Sequence, residues 1–467
     1  MQEKAARLKA AATKNAPQTL RNRSALLAEV IFIREDKHHQ AYCAVSFATV
    51  SCGRQFRRVF LSDVTLIGAY VIFLASYVVF AVGKFPGMKI DRPGMAIIGA
   101  VLMFAFGALR PADALHFVDF GTIVLLFSMM LLVAYLHVAG FFDWVTERVV
   151  AGLKPHHLLP TVIFLSGVLS AFFVNDIICL VMVPFALTAS RRMGLKPVPY
   201  LLAVATASNI GSVATITGNP QNMLVGSYSG IGYRDFLWHL GPVALVGLFL
   251  AWLVLWFFCL RSGSRDLRAE VPAEVPPVDR SALVKPGLVV LLVLAGFLAG
   301  FPPPLVAAVG AAMMLITRTR EPRLVYDEVD WGLLVFFVGL FLIVGGAENA
   351  GLTERLLALG GRLNLQHTGI FALVTAGLSN VVSNVPAVML LKSVVPRFAD
   401  PHTGWLTLAM ASTLAGNLTI TGSVANIIVV ERARKEATIT FGDYFRVGLP
   451  VTVLTMVFGW LWLQWVK

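Results

Sequence analysis

The sequence predicts an all-α polytopic membrane protein with about ten transmembrane helices in two inverted repeats, each containing a re-entrant hairpin and a broken helix. Three observations support this fold class. The 467 residues are 57% hydrophobic and only 14% charged. Apolar runs near the ~20 residues that a bilayer requires recur along the chain. The motif Thr-Ile-Thr-Gly-x-x-x-Asn occurs twice, at 215–222 and at 419–426, within long apolar stretches.

Eight uninterrupted apolar runs are candidate membrane spans, and two further spans are interrupted by polar residues. The uninterrupted runs are 64–83, 93–109, 122–139, 236–260, 284–300, 303–317, 333–349 and 444–465. The interrupted spans are the predicted broken helices 197–227 and 404–430. The mean hydropathy of +0.76 is too high for a water-soluble globule.

The net charge of +12 has its origin in short basic loops, which favour the cytoplasm, and nucleic-acid binding is therefore excluded. The loops are 84–92, 191–196, 318–323 and 431–435, and the charged, Pro-rich segment 261–283 is a cytoplasmic linker. It separates a first membrane repeat, 61–260, from a second, 284–467. Each half has an odd number of crossings, so their topologies are opposite. This topology places the polar, basic N-terminal tail 1–60 outside unless 41–62 contains another span.

The repeat extends beyond the twofold motif, because four landmarks occur in the same order in both halves. Val-Asp-aromatic-Gly begins a span, Ala-Gly ends it, Thr-Glu-Arg marks an amphipathic stretch, and an apolar hairpin with a polar centre precedes the interrupted span. The hairpins are 157–190 and 368–396. Inverted repeats of this kind place a substrate near the bilayer midplane, between paired broken elements.

The broken spans are the first candidate site. Gly218 and Gly422 allow the backbone to leave helical geometry, and Pro220 prevents direct resumption of the helix. Half-helix N-termini can bind an anion or hydroxyl groups, and freed carbonyls can bind a cation. The predicted substrate-binding residues of these breaks are Thr215, Thr217, Gly218, Asn219 and Asn222 in the first half and Thr419, Thr421, Gly422, Ser423 and Asn426 in the second. Asn209 and Asn417 are weaker candidates nearby.

The hairpins are the second candidate site, and they differ from one another. The first contains Asn175 and Asp176, and a carboxylate at membrane depth is a functional candidate because it is costly there. Burial favours the neutral form of a carboxylic acid, so Asp176 is predicted to couple transport to protons together with Asn175. It also suits a helix N-cap. In the second hairpin, Ser383 and Asn384 are predicted to bind substrate, and no acid corresponds to Asp176.

Several function classes are excluded by the absence of their motifs. The chain has no phosphate-binding loop, so it cannot be an ATP-driven pump by itself, and no nucleophile–base set indicates an enzyme. No Cys or His spacing typical of a metal site occurs, and no cofactor is expected. The one metal alternative is a Na⁺ site formed by Asn175, Asn384 and backbone carbonyls. A channel or membrane scaffold would account for the apolar spans but would not require matched breaks.

The hairpin Val174-Asn175-Asp176, the hairpin Ser383–Pro386 and the two Thr-Ile-Thr-Gly breaks resemble the ion-transporter superfamily. That superfamily includes arsenical-pump membrane proteins, Na⁺/H⁺ antiporters and divalent-anion/Na⁺ symporters. The resemblance covers about residues 64–467. Asn-Asp followed by Asn-x-Pro is most similar to the arsenical-pump branch, and 218–222 also resembles anion permeases. Dicarboxylate symporters typically have Ser-Asn-Thr in both hairpins, and this chain departs from that pattern.

The resemblance implies a secondary active transporter in which a mobile domain carries both hairpins and moves like an elevator against a scaffold. It further implies a homodimer in the inner membrane of a bacterial cell and, in arsenical systems, a cytosolic ATPase partner. The cargo of the arsenical branch is arsenite or antimonite, a small oxyanion or metalloid hydroxide, exported against proton entry. The alternatives are a Na⁺-coupled symporter of di- or tricarboxylates and a Na⁺/H⁺ antiporter.

Overall fold

The computed structural model describes residues 65–83, 88–150, 153–260, 281–316 and 321–466. The predicted tail 1–60 and residues 261–280 of the predicted linker lie outside these ranges. Within them the chain is almost entirely helical. The helices of the first half are α1 (Thr65–Val82), α2 (Arg92–Ala105), α3 (Ala114–Phe117), α4 (Phe120–Val138), α5 (Phe141–Val150), α6 (Leu158–Phe172), α7 (Asn175–Arg192), α8 (Val198–Ser212), α9 (Pro220–Ser229) and α10 (Tyr233–Leu255).

The second half repeats this order, element for element. Its helices are α11 (Ser281–Leu298), α12 (Pro303–Leu315), α13 (Pro322–Tyr326), α14 (Trp331–Asn349), α15 (Leu352–Arg362), α16 (Thr368–Val382), α17 (Asn384–Leu391), α18 (Pro401–Leu414), α19 (Val424–Ala433) and α20 (Phe441–Trp465). Each of the eight uninterrupted predicted spans coincides with one helix. In the described residues, six helices are long and apolar enough to cross a membrane, and four shorter ones are also apolar. The all-α membrane fold class is therefore confirmed.

Contacts between the halves are reciprocal. Helix α2 packs on α14 and α12 packs on α4; α7 packs on α19 and α17 on α9; α3 contacts α14 and α13 contacts α4. Exchanging the two halves leaves this set of contacts unchanged, and α10 packs on its own counterpart α20. Such reciprocity is the packing expected of two structural repeats.

The first hairpin is formed by α6 and α7 and the second by α16 and α17. In the first, Phe173 and Val174 are extended and connect the arms. In the second, Ser383 alone connects them, with φ 77° and ψ 161°. Helix α6 also packs closely on α8, where a Cβ on Gly211 would lie 2.0 Å from the Gly167 carbonyl oxygen. Only glycine permits this approach, which brings the first hairpin against the first broken span.

The two broken spans have the same backbone conformation. Thr215 has φ −136° and ψ 163°, and Thr419 has φ −135° and ψ 162°. In each break a 3₁₀ turn follows and then a second extended residue, Asn219 or Ser423. Gly218 is required by close approach, since a Cβ there would lie 2.3 Å from the Ser212 carbonyl oxygen. Helices α9 and α19 then begin at Pro220 and Val424.

Candidate functional site

The beginnings of six helices surround one cavity of about 180 Å³. These helices are α2, α7, α9, α14, α17 and α19, and each contributes residues of its first turn. The lining comprises Phe80, Arg92, Pro93, Asn175, Asp176, Pro220, Gln221, Asp330, Gly332, Leu333, Phe336, Ser383, Asn384, Val385, Ser423 and Val424. Because every helix carries partial positive charge at its N-terminus, the cavity favours oxygen atoms and negative charge.

Three of these six helix starts have no side-chain cap. No cap hydrogen bond is made at the N-terminus of α7, α17 or α19, where the cap residues are Val174, Ser383 and Ser423. The first N–H groups of a helix have no partner within the helix. The uncapped starts therefore offer backbone donors to a bound molecule. Helices α2, α9 and α14 differ, because Asp91, Asn219 and Asp330 cap them.

Three charged side chains line the cavity, two of them acidic and one basic. Asp176 is half-buried at the first hairpin, Arg92 is half-buried at the start of α2, and Asp330 is exposed at the start of α14. Arg92 Nε donates to the Phe80 carbonyl oxygen at 3.0 Å. Asp330 Oδ1 accepts from Leu333 N at 2.9 Å. With all three ionised, the side chains contribute a net charge of −1.

The hairpin tips bring together the predicted pair Asn175 and Asn384. Asn175 Nδ2 donates to Asn209 Oδ1 at 3.2 Å, while its buried Oδ1 has no partner among the described residues. Asn384, with its amide oriented to satisfy its neighbours, donates to the carbonyls of Ser412 at 3.0 Å and Gly422 at 3.2 Å. Its oxygen accepts from Gln221 Nε2 at 3.2 Å. The amide oxygen at the first tip is thus without a partner among the described residues, whereas the amide at the second tip is fixed by its neighbours.

None of the five predicted residues of the first break is part of the cavity lining. Asn222 Nδ2 donates to the carbonyls of Ser212 and Thr215, both at 3.0 Å. Asn219 Oδ1 accepts from Asn222 N at 2.8 Å. The hydroxyls of Thr215 and Thr217 contact the last carbonyls of α6, at Ala171 and Phe172. All four side chains are fully buried. The two threonines bind the break to the first hairpin.

The second break shows the same arrangement with one difference. Asn426 Nδ2 donates to the carbonyls of Gly416 at 2.7 Å and Thr419 at 3.0 Å. Ser423 lines the cavity, whereas Thr421 is exposed and Gly422 is buried outside the lining. The final Asn of each Thr-Ile-Thr-Gly-x-x-x-Asn motif therefore closes its break onto the preceding helix, which is a structural reason for the repeat.

Buried amides and hydroxyls join the halves behind the cavity. Asn209 Nδ2 donates to Asn417 Oδ1 at 3.0 Å and to Asn426 Oδ1 at 2.9 Å. Ser423 Oγ donates to Asn209 Oδ1 at 2.9 Å. Thr413 Oγ1 accepts from the side-chain nitrogens of Asn219 and Gln221, both at 3.2 Å. This network fixes the starts of α9 and α19 relative to both hairpins.

Sequence reasoning misses three polar residues of the lining: Arg92, Gln221 and Asp330. The charge pattern assigns Arg92 to a cytoplasmic loop, but it is the first residue of α2. Asp330 belongs to the Val-Asp-aromatic-Gly landmark, which marks a helix start without indicating what lies opposite. Gln221 stands inside the break motif itself and is 3% exposed, so a polar residue at the second position of α9 is the available signal.

Comparison with known proteins agrees with these features. The family model described as "CitMHS: Citrate transporter" matches residues 77–415, a range that includes both hairpins. The uncharacterized transporter Rv2685 of Mycobacterium tuberculosis is 30% identical over 427 residues, covering 85% of this chain and 98% of that protein. The silicon efflux transporter LSI3 of Oryza sativa subsp. japonica is 28% identical, covering 80% and 92%.

The fold is similar to that of a solved transporter. The crystal structure of the Alcanivorax borkumensis YdaH transporter matches with a TM-score of 0.55 at 15% identity, covering 87% of this chain and 98% of that chain. The predicted resemblance to the ion-transporter superfamily is thereby confirmed. The chain is an integral membrane transporter, and it belongs to the CitMHS citrate transporter family.

Proposed function

We propose that this transporter is a secondary active exporter of a small metalloid hydroxide or oxyanion, with arsenite and antimonite as the cargo class, driven by proton entry. The observation that supports this cargo most is the lining of the cavity. Uncapped N–H groups of three helices face the same 180 Å³ as two carboxylates and three amide side chains. A molecule that both accepts and donates hydrogen bonds through several hydroxyls satisfies such a mixture.

The charges of the lining side chains favour a neutral cargo over a multiply charged one. A neutral trihydroxide donates its O–H groups to Asp176, Asp330 and Asn175 Oδ1, and it accepts from backbone N–H groups. A tricarboxylate would bring three negative charges toward two carboxylates and one guanidinium. The name of the rice relative, a silicon efflux transporter, supports transport of a hydroxylated metalloid in this family.

Asp176 is the residue we assign to proton coupling. It lines the cavity, and in α7 the cap position is Val174, so the carboxyl is not engaged as an N-cap. Asp330 differs, because its carboxylate is held by Leu333 N. A carboxyl group at a moving hairpin tip can take up a proton on one side of the membrane and release it on the other.

The accessible side of the cavity supports export. Arg92, Pro93, Asp330 and Gly332 line it at the starts of α2 and α14, and the loops that precede them carry the basic residues predicted to lie in the cytoplasm. On that topology the cavity opens to the cytoplasm, which is the state in which an exporter binds its cargo.

We further propose that the hairpins and broken spans move together as one body, as in an elevator. This is supported by the buried hydrogen bonds that join both halves, which involve Asn209, Thr413, Ser423 and Asn426. The contacts of this body with the scaffold are unequal: α4 packs against α9, whereas α14 packs against α17. Unequal contacts on the two sides are expected when a mobile domain occupies one of the two end positions of its movement. Homodimer assembly remains a prediction from the resemblance.

A Na⁺-coupled di- or tricarboxylate symporter is the second candidate. The family model is described as a citrate transporter, and Arg92 and six helix N-termini are positive features of the cavity. Asn175, Asn384 and nearby carbonyls would then hold the Na⁺. A Na⁺/H⁺ antiporter would use Asp176 without a further cargo.

Counterflow in proteoliposomes separates these functions. The purified chain is reconstituted, arsenite, antimonite, succinate and citrate are offered one at a time, and pH and Na⁺ gradients are imposed independently. We expect arsenite or antimonite counterflow, and proton-driven efflux that Asp176→Asn abolishes. Asp143→Asn is the matched control, because Asp143 is an exposed carboxylate on α5. Na⁺-dependent citrate or succinate uptake without metalloid counterflow would instead establish the symporter.

A further inference from the structure

A second cluster of chemically active side chains lies away from the cavity, where α10 meets α18. Asp235 and His239 are one turn apart on α10, and His402 is in the first turn of α18. One ligand-type atom from each of the three side chains lies within 4.8 Å of the other two. We propose that Asp235, His239 and His402 form a binding site for a divalent transition-metal ion such as Zn²⁺.

The two imidazoles contact the two oxygens of one carboxylate, and His239 Nδ1 also lies 2.9 Å from the Asp235 carbonyl oxygen. His402 Nε2 lies 2.8 Å from Asp235 Oδ2, and His239 Nδ1 lies 2.9 Å from Asp235 Oδ1. The two imidazole rings are 5.0 Å apart at their centroids and inclined by 71°. Ligands of tetrahedral Zn²⁺, at 2.0–2.2 Å from the metal, are about 3.4 Å from one another. A separation of each His–Asp pair by about half an ångström therefore brings those pairs to the ligand spacing of the ion.

The helices that carry the ligands are fixed by other contacts. Trp462 Nε1 donates to the His239 carbonyl oxygen at 2.8 Å. Asp400 caps α18, accepting from His402 N at 3.1 Å and from Thr403 Oγ1 at 2.5 Å. Because the backbone at both histidines is held in this way, metal binding requires little reorganisation. Surrounding contacts of this kind orient metal ligands and raise affinity.

The ligand set selects the class of ion. Two imidazoles and one carboxylate suit Zn²⁺ and its borderline neighbours, and they suit Ca²⁺ and Mg²⁺ poorly, since those ions prefer oxygen ligands. The side chains of Asp235, His239 and His402 are 45%, 17% and 39% exposed, so an ion can reach them and water can complete the coordination. No sequence spacing indicates this site, because Asp235 and His402 are 167 residues apart.

The site would connect the two halves of the chain. On the topology predicted from the basic loops, α10 and α18 both begin at the outer face, so the ion would come from outside the cytoplasm. It would link the first membrane half to the second at the end opposite the cavity mouth. This inference is independent of the cargo and of the coupling ion.

Titration of the EDTA-treated full chain with Co²⁺ tests the proposal, because tetrahedral Co²⁺ has a visible absorption band. We expect one Co²⁺ per chain, displaced by Zn²⁺. Asp235→Asn, His239→Gln and His402→Gln should each weaken binding by at least about tenfold, since even outer partners of a metal change its affinity by about 10–100-fold. Unfolding midpoints in EDTA show that the variants remain folded.

Control variants test whether histidines outside the proposed site bind Co²⁺. His156→Gln with His157→Gln removes an adjacent exposed pair, and His38→Gln with His39→Gln removes a pair outside the described residues; both double variants should keep the band. His402→Cys should add a thiolate-to-Co²⁺ charge-transfer band. A wild-type chain without the band, a band that survives loss of Asp235, His239 and His402 together, or a His402→Cys variant without charge transfer would overturn the site.

Discussion

Asn209 and Thr413 make the same contact from opposite halves of the chain. Asn209 Nδ2 donates to Asn426 Oδ1 at 2.9 Å, and Thr413 Oγ1 donates to Asn222 Oδ1 at 3.4 Å. Both donors lie in the helix before a break, and both acceptors are the final Asn of the motif in the other half. Each broken span is therefore held in part by the half to which it does not belong.

This relationship predicts the effect of removing one hydroxyl. Thr413→Val removes the acceptor shared by Asn219 and Gln221 and the donor to the buried Asn222 Oδ1. Loss of that donor costs about 1–3 kcal/mol of unfolding free energy. Thr413→Ser keeps the hydroxyl and is the control. Reversible unfolding in micelles measures both variants. Equal stabilities of the Val and Ser variants would show that the hydroxyl has no such role.

The aspartates of the Val-Asp-aromatic-Gly landmark provide a matched pair. Asp119 and Asp330 cap α4 and α14 in the same way, with Oδ1 accepting from Thr122 N at 3.0 Å and from Leu333 N at 2.9 Å. Of the two aspartates, Asp330 alone lines the cavity. Asn caps a helix as well as Asp does, so neither Asp→Asn change should unfold the protein.

Transport is expected to separate these two variants. Asp330→Asn should raise the KM for cargo by about tenfold or more, corresponding to one hydrogen bond to a charged group, about 1.5–3 kcal/mol. Asp119→Asn should leave the KM unchanged. Counterflow over a range of cargo concentrations measures both. The same KM in the two variants would remove Asp330 from the site.

Arg92 distinguishes a neutral cargo from an anionic one. If the cargo is a neutral metalloid hydroxide, Arg92→Gln should change its counterflow by less than about threefold, because the principal donors are backbone N–H groups and neutral amides. A tricarboxylate would lose a charge-assisted hydrogen bond, which is roughly twice as strong as a neutral one. Arg92→Lys is the control, since it keeps the charge but loses the fork geometry. Loss of arsenite counterflow in the Gln variant alone would indicate an anionic cargo.

The elements of the site are easier to locate from the sequence than the cavity they surround. Hydropathy places the helices, and Thr-Ile-Thr-Gly locates both breaks because a polar helix break that occurs twice in one membrane chain is typical of paired repeats. Arg92 and Asp330 are not found in this way. Arg92 precedes Asn175 by 83 residues and Asp330 precedes Ser383 by 53 residues, and only tertiary packing brings each of them to the cavity. Thr215 and Asn222, by contrast, are expected to contact cargo, and the structure shows them satisfying freed backbone carbonyls. Sequence does not distinguish these two uses of a polar side chain in a helix break.

Ser383 connects the arms of the second hairpin in a backbone region that is almost restricted to glycine, with φ 77° and ψ 161°. Such a residue stores about 1–3 kcal/mol of strain, and strain of this kind concentrates at functional sites. The corresponding turn residue of the first hairpin, Val174, has φ −60° and ψ 120° and is unstrained. Strain is thus present at one hairpin tip and absent at the other.

Glycine substitutions at these two turns should therefore have effects of opposite sign. Ser383→Gly relieves the strain and should raise the unfolding free energy by about 1 kcal/mol. Val174→Gly should lower it, because it relieves nothing and removes a fully buried side chain. Ser383→Ala keeps the strained backbone and loses only the hydroxyl, so stabilisation by Ala equal to that by Gly would assign the effect to the hydroxyl.

Because the strained turn borders the cavity, relief of its strain should also stabilise the conformation described here relative to the conformation that follows it in the transport cycle. Counterflow by Ser383→Gly is then expected to be slower than that of the wild type, although the protein is more stable.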